Sequence, residues 1–520
     1  MPRSALHRVR RRGALPYVVA LALAVSLLPS SVAAAGSAEV AGPQPATPEL
    51  IDRDVRRGVI TPAQGALFLT WALTAPARLP ETYVSDTPWS GTLPLLRLRE
   101  RLPALGDAPA ALAARAALRG ATFSCPGTSG SLPDVRSTKH FYLQFRASAL
   151  QSLSIRRYAS ALETAWATEV GAFKWAKPPR DPFRAPPGGR YPVRVENLGP
   201  GLYGYVTGTA FAGDNPSTSW NDRDAVASCM VLNRDFAPFP GTPVDALRAT
   251  AAHEFNHSIQ FGYGALTGFG KVTDVMVEGL ATWMEDEVFD SSNDGYNYLW
   301  PEFALPMGRY RESPYPYWVV FRAMTERFGS GRRNGAEAVV QVFWEQISKG
   351  ASTNLAALAK GFRVKRSTLG DAYHHASIAL RFLVDCSATV RRYCLEEGPF
   401  YSAVSGDPND HANLNAAPDS LSRSIPNDFA LNWVGVPTAA GLDLTITHDG
   451  GRGVLRVSIA CRNGGVTVTR VGTATRTRDA ALAGVDLSAC DEASAVISNV
   501  KLTDPTPRSI TRTDYTIAIT

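Results

Sequence analysis

The chain has 520 residues, 45 % of them hydrophobic, with 53 Lys+Arg against 47 Asp+Glu for a formal net charge of +6. This length supports two or three domains with well-buried cores. Arg3, Arg8, Arg10, Arg11 and Arg12 stand at the very start; without them the charge falls from +6 to +1, and no basic cluster interleaved with aromatics remains to support nucleic-acid binding.

Residues 1–35 read as an export signal. A basic start precedes the apolar stretch Leu15 to Leu28, too short for an ordinary membrane span, and Ala33-Ala34-Ala35 offers a small-residue cleavage site before Gly36. The expectation is a secreted, extracellular protein with no stable membrane association once the signal is removed. Six cysteines in an exported chain point to three disulfides. The pairs closest in sequence are Cys386 with Cys394 and Cys461 with Cys490, which leaves Cys125 with Cys229; a free thiol at Cys125 is the rival arrangement.

Residues 36–136 form a helical, propeptide-like region. Thr47-Pro48-Glu49 starts a helix that Gly58 stops, Thr61-Pro62-Ala63-Gln64 starts another running to Leu73, and a helical patch from Leu98 to Leu118 is interrupted at Pro103 and Gly106. The segment Ser124 to Ser137, rich in Gly, Ser and Pro, is the expected place for processing. From residue 137 the pattern turns to mixed α and β. His140 to Phe145, Tyr191 to Leu198 and Ala225 to Asn233 have strand character, and Ile155 to Val170 has helical spacing.

Thr242-Pro243-Val244-Asp245 is a helix start: a capping threonine, proline at the first helical position and an acid in the first turn. Gly262 supplies the stop. Within this helix residues 253 to 257 read His-Glu-Phe-Asn-His, and Glu278 follows 21 positions after His257 on a second predicted helix. His253 and His257, four apart, reach one metal ion from one helix face, and Glu254 faces the open coordination position. With 8 His in the chain, a chance His-Glu-x-x-His is expected in well under about one chain in a hundred of this composition, so the motif carries weight. Thr282 and Glu285 are placed to hold a ligand imidazole's outer N–H. Asp290, Asn293, Asp294 and Gly295 match no regular calcium loop and read as an exposed polar turn.

His253-Glu254-x-x-His257 followed by Glu278-Gly279-x-Ala281-x-Trp283 resembles the gluzincin metallopeptidases, and the longer strings around both segments are similar to a group of secreted bacterial metallopeptidases. The resemblance is specific over about 40 residues and architectural elsewhere. It implies His253, His257 and Glu278 as zinc ligands, one Zn2+ per chain, with Glu254 as general base. It also implies an α+β zincin with a thermolysin-like catalytic domain over residues 137–400: an α/β part to residue 300 and a helical C-terminal lobe over 301–400. In such folds an extended peptide pairs with a sheet edge near the active helix, here read as Ala227 to Asn233. Gluzincins take an oxyanion-stabilising Tyr or His from the helical lobe, where Tyr315, Tyr317, His374 and His375 are available; Tyr317 is the choice made here.

Residues 425–520 read as an antiparallel β-sandwich, from short alternating runs at Leu442 to His448, Val454 to Cys461, Val466 to Val471, Ala495 to Val500 and Tyr515 to Ile519. Together these readings describe a monomeric secreted zinc endopeptidase acting on protein or peptide substrates. The competing reading is a surface- or glycan-binding protein carrying a vestigial zincin domain.

Overall fold

The computed structural model describes residues 45–120, 132–199, 201–266, 272–299, 314–387, 392–405, 412–427, 429–501 and 511–520. The export-signal reading, and Cys125 with most of the proposed processing segment, lie outside the described residues.

Four helices open the described chain: α1 (Thr47–Arg56), α2 (Pro62–Thr74), α3 (Thr92–Ala104) and α4 (Pro109–Gly120). The start of α2 is a reciprocal cap, in which Thr61 Oγ1 accepts from Gln64 N at 3.2 Å and Gln64 Oε1 accepts from Thr61 N at 2.9 Å. Pro103 sits inside the last turn of α3, and the break between α3 and α4 falls at residues 105–108, which include Gly106 at φ 56°. The apolar faces of these helices, with Ile51, Leu69, Leu73, Leu98 and Leu102 buried, share one core with Leu202, Tyr205 and Val231 of the neighbouring sheet. Burial on that scale, at about 25 cal/mol per Å2 of apolar surface, fixes the helices against the sheet.

That sheet contains β1 (Asp134–Ser137), β2 (Phe141–Phe145), β3 (Tyr191–Glu196), β4 (Gly204–Gly213) and β5 (Ala225–Asn233), with α5 (Ile155–Trp166) connecting β2 to β3. The strand order is β1-β2-β3-β5-β4. β2, β3 and β5 run parallel, while β1 and β4 are antiparallel edges. β5 is therefore an interior strand, and the substrate edge read at Ala227 to Asn233 is corrected: the edge on that side is β4.

Helix α6 (Pro243–Gly262) packs beneath this sheet, and α7 (Asp274–Val288) packs against α6. Thr242 Oγ1 accepts from Asp245 N at 3.2 Å, the cap expected from the sequence. The helical lobe follows as α8 (Trp318–Thr325), α9 (Glu337–Ser348), α10 (Asn354–Arg363), α11 (Leu369–Phe382) and α12 (Gly398–Ser405).

Eight strands complete the chain: β6 (Asp419–Pro426), β7 (Ala430–Gly435), β8 (Leu442–Gly450), β9 (Leu455–Asn463), β10 (Gly465–Ala474), β11 (Ala480–Val485), β12 (Glu492–Asn499) and β13 (Arg512–Ile519). They form two four-stranded antiparallel sheets, β10-β9-β12-β7 and β11-β8-β13-β6. Between them lies a core that includes Ile446, Val457, Ile497 and Ile517. The outer face of the first sheet packs on α11, where Trp433 Nε1 donates to Ser377 O at 2.7 Å. The architecture is thus mixed α+β with an antiparallel β-sandwich.

Disulfides join Cys386 to Cys394 and Cys461 to Cys490, the two pairs closest in sequence, and Cys229 is also disulfide-bonded. Among the described residues no helix is long and apolar enough to cross a membrane.

Candidate metal centre

α6 lies under the sheet and over α7, so every residue from Ala249 to Gly262 is buried whatever its polarity. A histidine buried this way needs a partner for each ring nitrogen. His253 Nε2, His257 Nε2 and Glu278 Oε2 converge: the distances are 3.0 Å between the two nitrogens, 3.0 Å from His253 to the carboxylate and 3.3 Å from His257. Atoms bound at about 2.0–2.1 Å to a tetrahedral ion stand about 3.3 Å apart, so these three nearly outline one face of such a site. Among the described residues this is the group of His, Cys, Asp and Glu able to hold a metal ion.

The outer nitrogens fix which atoms carry lone pairs. His253 Nδ1 lies 2.7 Å from Glu285 Oε1, which can only accept from it when ionised. Gln260 Nε2 donates to Asn256 Oδ1 at 2.9 Å and to Val277 O at 3.1 Å, which turns Gln260 Oε1 towards His257 Nδ1 at 3.0 Å. Both Nδ1 atoms therefore donate outward, and both Nε2 atoms face the Glu278 carboxylate. The relay continues as Asn256 Nδ2 donates to Glu169 Oε2 at 2.9 Å, from a π-helical turn (Ala167–Ala172) that extends α5. Glu169 is fully buried, and burial raises its pKa well above the ordinary carboxylate value.

Three acceptors aimed at one point require positive charge between them. Burial disfavours the His253 imidazolium, but hydrogen bonds and charge from Glu278 and Glu285 outweigh it and hold its pKa well above the ordinary value. Burial likewise opposes ionisation of Glu278, yet the His257 charge and hydrogen bonds from both histidines bring its pKa down to about 2. A divalent cation bound there would supply positive charge at the same point. The donor set fits a metal.

Glu254, on the next face of α6, is wholly buried, and burial raises its pKa despite the nearby histidines. Ser90 Oγ donates to its Oε1 and Thr92 Oγ1 to its Oε2, each at 2.9 Å. Tyr315 OH accepts from Ser90 N at 3.1 Å, and its ring centre stands 6.2 Å from that of His253.

The other lobe candidates are Tyr317, His374 and His375. A Cβ added at Gly279 would meet Tyr317 Cβ at 3.4 Å, placing Tyr317 on the turn of α7 after Glu278. His374 faces serines of the β-sandwich, and His375 stacks on Tyr393. Thr282 Oγ1 is buried without a hydrogen bond, so of the two supporting residues read from the sequence only Glu285 holds a ligand. Asp294 is buried and accepts from Tyr203 OH at 2.8 Å, which corrects its reading as an exposed turn. Sequence reasoning missed Gln260, Glu169, Ser90 and Thr92. Gln260 alone had a local signal, since it lies one turn past His257 on the same helix.

Comparison of the chain with protein-family models, with curated proteins and with solved structures finds no match in any of the three.

Proposed function

We propose that this protein is a secreted zinc metallopeptidase of gluzincin type, with a zincin catalytic domain, a helical lobe and an accessory β-sandwich. The observation that carries the reading is the convergence of His253 Nε2, His257 Nε2 and Glu278 Oε2 within 3.0–3.3 Å, with Glu254 beside them on the same helix. Two imidazoles and one carboxylate favour zinc over calcium or magnesium, which take oxygen ligands. The basic and apolar start of the sequence and the disulfides support export.

His253, His257 and Glu278 would hold the ion, and Glu285 and Gln260 keep the imidazoles in the tautomer that presents Nε2. Bound there, zinc supplies Lewis acidity towards a carbonyl oxygen and towards water. Glu254 accepts a proton from the attacking water and returns it to the leaving amine, and its burial-raised pKa makes it a better base than a free carboxylate. The Tyr315 hydroxyl, on a ring beside that of His253, would serve as donor to the developing oxyanion. A peptide is favoured as substrate because the edge strand β4 passes beside Glu254: a Cβ at Gly204 would lie 3.4 Å from Glu254 Cγ. Retention of both base and ligands supports an enzyme over a vestigial binding protein.

The test is incubation of the zinc-loaded protein with a mixed peptide library, reading new termini by mass spectrometry against Glu254→Gln. Forms in which Ser90 and Thr92 are replaced belong in the same experiment. Absence of cleavage from every form would sink the peptidase reading.

A further inference from the structure

The chain between α2 and α3 comes to lie along the free edge of β4. Trp89 N donates to Gly201 O at 2.9 Å, Tyr203 N to Trp89 O at 3.2 Å, and Gly91 N to Gly204 O at 2.8 Å. Trp89 and Leu202 form a parallel bridge. The next outward N–H of the edge, that of Val206, donates to Thr92 Oγ1 at 2.8 Å. Residues 89–91, through one isolated bridge and the main-chain bonds around it, and the Thr92 side chain thus occupy main-chain groups of the edge with which an extended peptide would pair next to Glu254.

Two of the same residues engage the base. Each Glu254 oxygen accepts a hydroxyl, Oε1 from Ser90 and Oε2 from Thr92, so the segment fills half of its acceptor positions and sits within hydrogen-bond distance of it, where substrate and water would have to come. Ser90 N engages the Tyr315 hydroxyl. Nothing at the centre is open: His253 is 4 % exposed, and Glu254, His257 and Glu278 are 0 % exposed. The approach is tight: a Cβ at Gly91 would stand 3.0 Å from Leu73 Cδ2, 3.1 Å from Tyr205 Cβ and 3.2 Å from Leu202 Cδ1. An ion pair from Arg97 of α3 to Asp274 at the start of α7 fastens the helix that follows.

We infer that Trp89–Thr92 is an intramolecular occupant of the substrate's place, and that the structure is a latent form whose activity requires withdrawal of this strap. The inference rests on the metallopeptidase reading of the centre. It assigns the N-terminal helices a function, which is to carry the strap and hold it through the core they share with β4 and β5.

The experiment compares full-length, zinc-loaded wild type with Ser90→Ala/Thr92→Val, which removes both hydroxyls at nearly constant shape, and with Gly91→Val, which wedges the strap off the edge. Two rates are read: extraction of zinc by excess 1,10-phenanthroline, and cleavage of a peptide mixture. Circular dichroism and thermal melts report folding, and the double variant carries the test if Gly91→Val does not fold. Both rates are expected to rise at least about tenfold, because loss of two hydrogen bonds to a buried carboxylate shifts the strap towards its withdrawn state. A folded double variant with unchanged zinc extraction and wild-type cleavage overturns the strap and leaves the peptidase standing. Cleavage falling below wild type overturns it too, by making Ser90 and Thr92 positioning residues of a competent site. Faster extraction with no cleavage from any form upholds the strap as a cover over the metal centre and fails the peptidase reading instead.

Discussion

Two histidine pairs in this molecule, one buried on α6 and one half-buried on α11, end in opposite states. His253 and His257, four apart on α6, share a face and turn their Nε2 atoms on one point, where Glu278 meets them. His374 and His375, adjacent on α11, point apart. His374 is saturated by Ser498 at Nδ1 and Ser458 at Nε2, each at 2.9 Å, and His375 stacks on Tyr393 with ring centres 4.6 Å apart. Burial works against the imidazolium in both places. At α11 it wins: burial and then the Arg456 charge push His374 down to about 3, and burial and then Arg327 do the same to His375. At α6 two carboxylates reverse it for His253. Neighbouring charge, and not burial, separates a neutral packing histidine from one that draws positive charge to itself.

The comparison breaks most decisively at the metal. His257→Ala should take the purified protein from about one zinc per chain to almost none and abolish turnover, whereas His374→Ala should keep its zinc; metal analysis of both decides the matter. Equal zinc loss from the two would erase the distinction.

Glu254→Gln keeps the shape of the site but cannot accept a proton. It should retain zinc and fold while losing about 10²–10⁴-fold in turnover, read on a strap-displaced background. Undiminished cleavage would remove Glu254 from the chemistry.

The carboxylates around His253 sharpen the contrast further. Glu278→Ala removes a ligand, while Glu285→Ala removes only the partner of His253 Nδ1, so the second should weaken zinc affinity by about 10–100-fold and the first by more. Competition titration with a chromophoric chelator gives the order, and the reverse order would exchange their roles.

The smallest effect is on stability at the α11 pair. A histidine held neutral in the fold, with its pKa at about 3 against an ordinary 6.5, leaves the unfolded chain binding the extra proton as pH falls below 6.5. Its contribution is therefore complete above about pH 6.5 and shrinks towards acid. The stability advantage of wild type over His374→Asn, measured by urea unfolding at a series of pH values, should narrow as pH drops through that range. An advantage that grows towards acid would mean that His374 is charged in the fold.

What the sequence determined by itself is local. Thr242, Pro243 and Asp245 start α6, the four-residue spacing puts His253 and His257 on one face, and the short alternating runs announce most sandwich strands, because each of these signals is complete within a turn or two of chain. β4 was not legible: its run Gly-Tyr-Val-Thr-Gly-Thr-Ala-Phe-Ala-Gly is too rich in small residues to show alternation, and without it β5 looked like the edge. Asp294 reads as solvent-facing because a charged turn normally is, but the fold buries it and brings the Tyr203 hydroxyl to its carboxylate. Tyr315 and Tyr317 are indistinguishable in sequence, and the path of the chain before α8 brings the first to His253. The contacts of Ser90 and Thr92 with Glu254 span 164 and 162 positions. No periodicity or motif encodes contacts at such separation; they exist because the apolar faces of the N-terminal helices bury themselves against the sheet beside the metal centre, a choice that only tertiary packing makes.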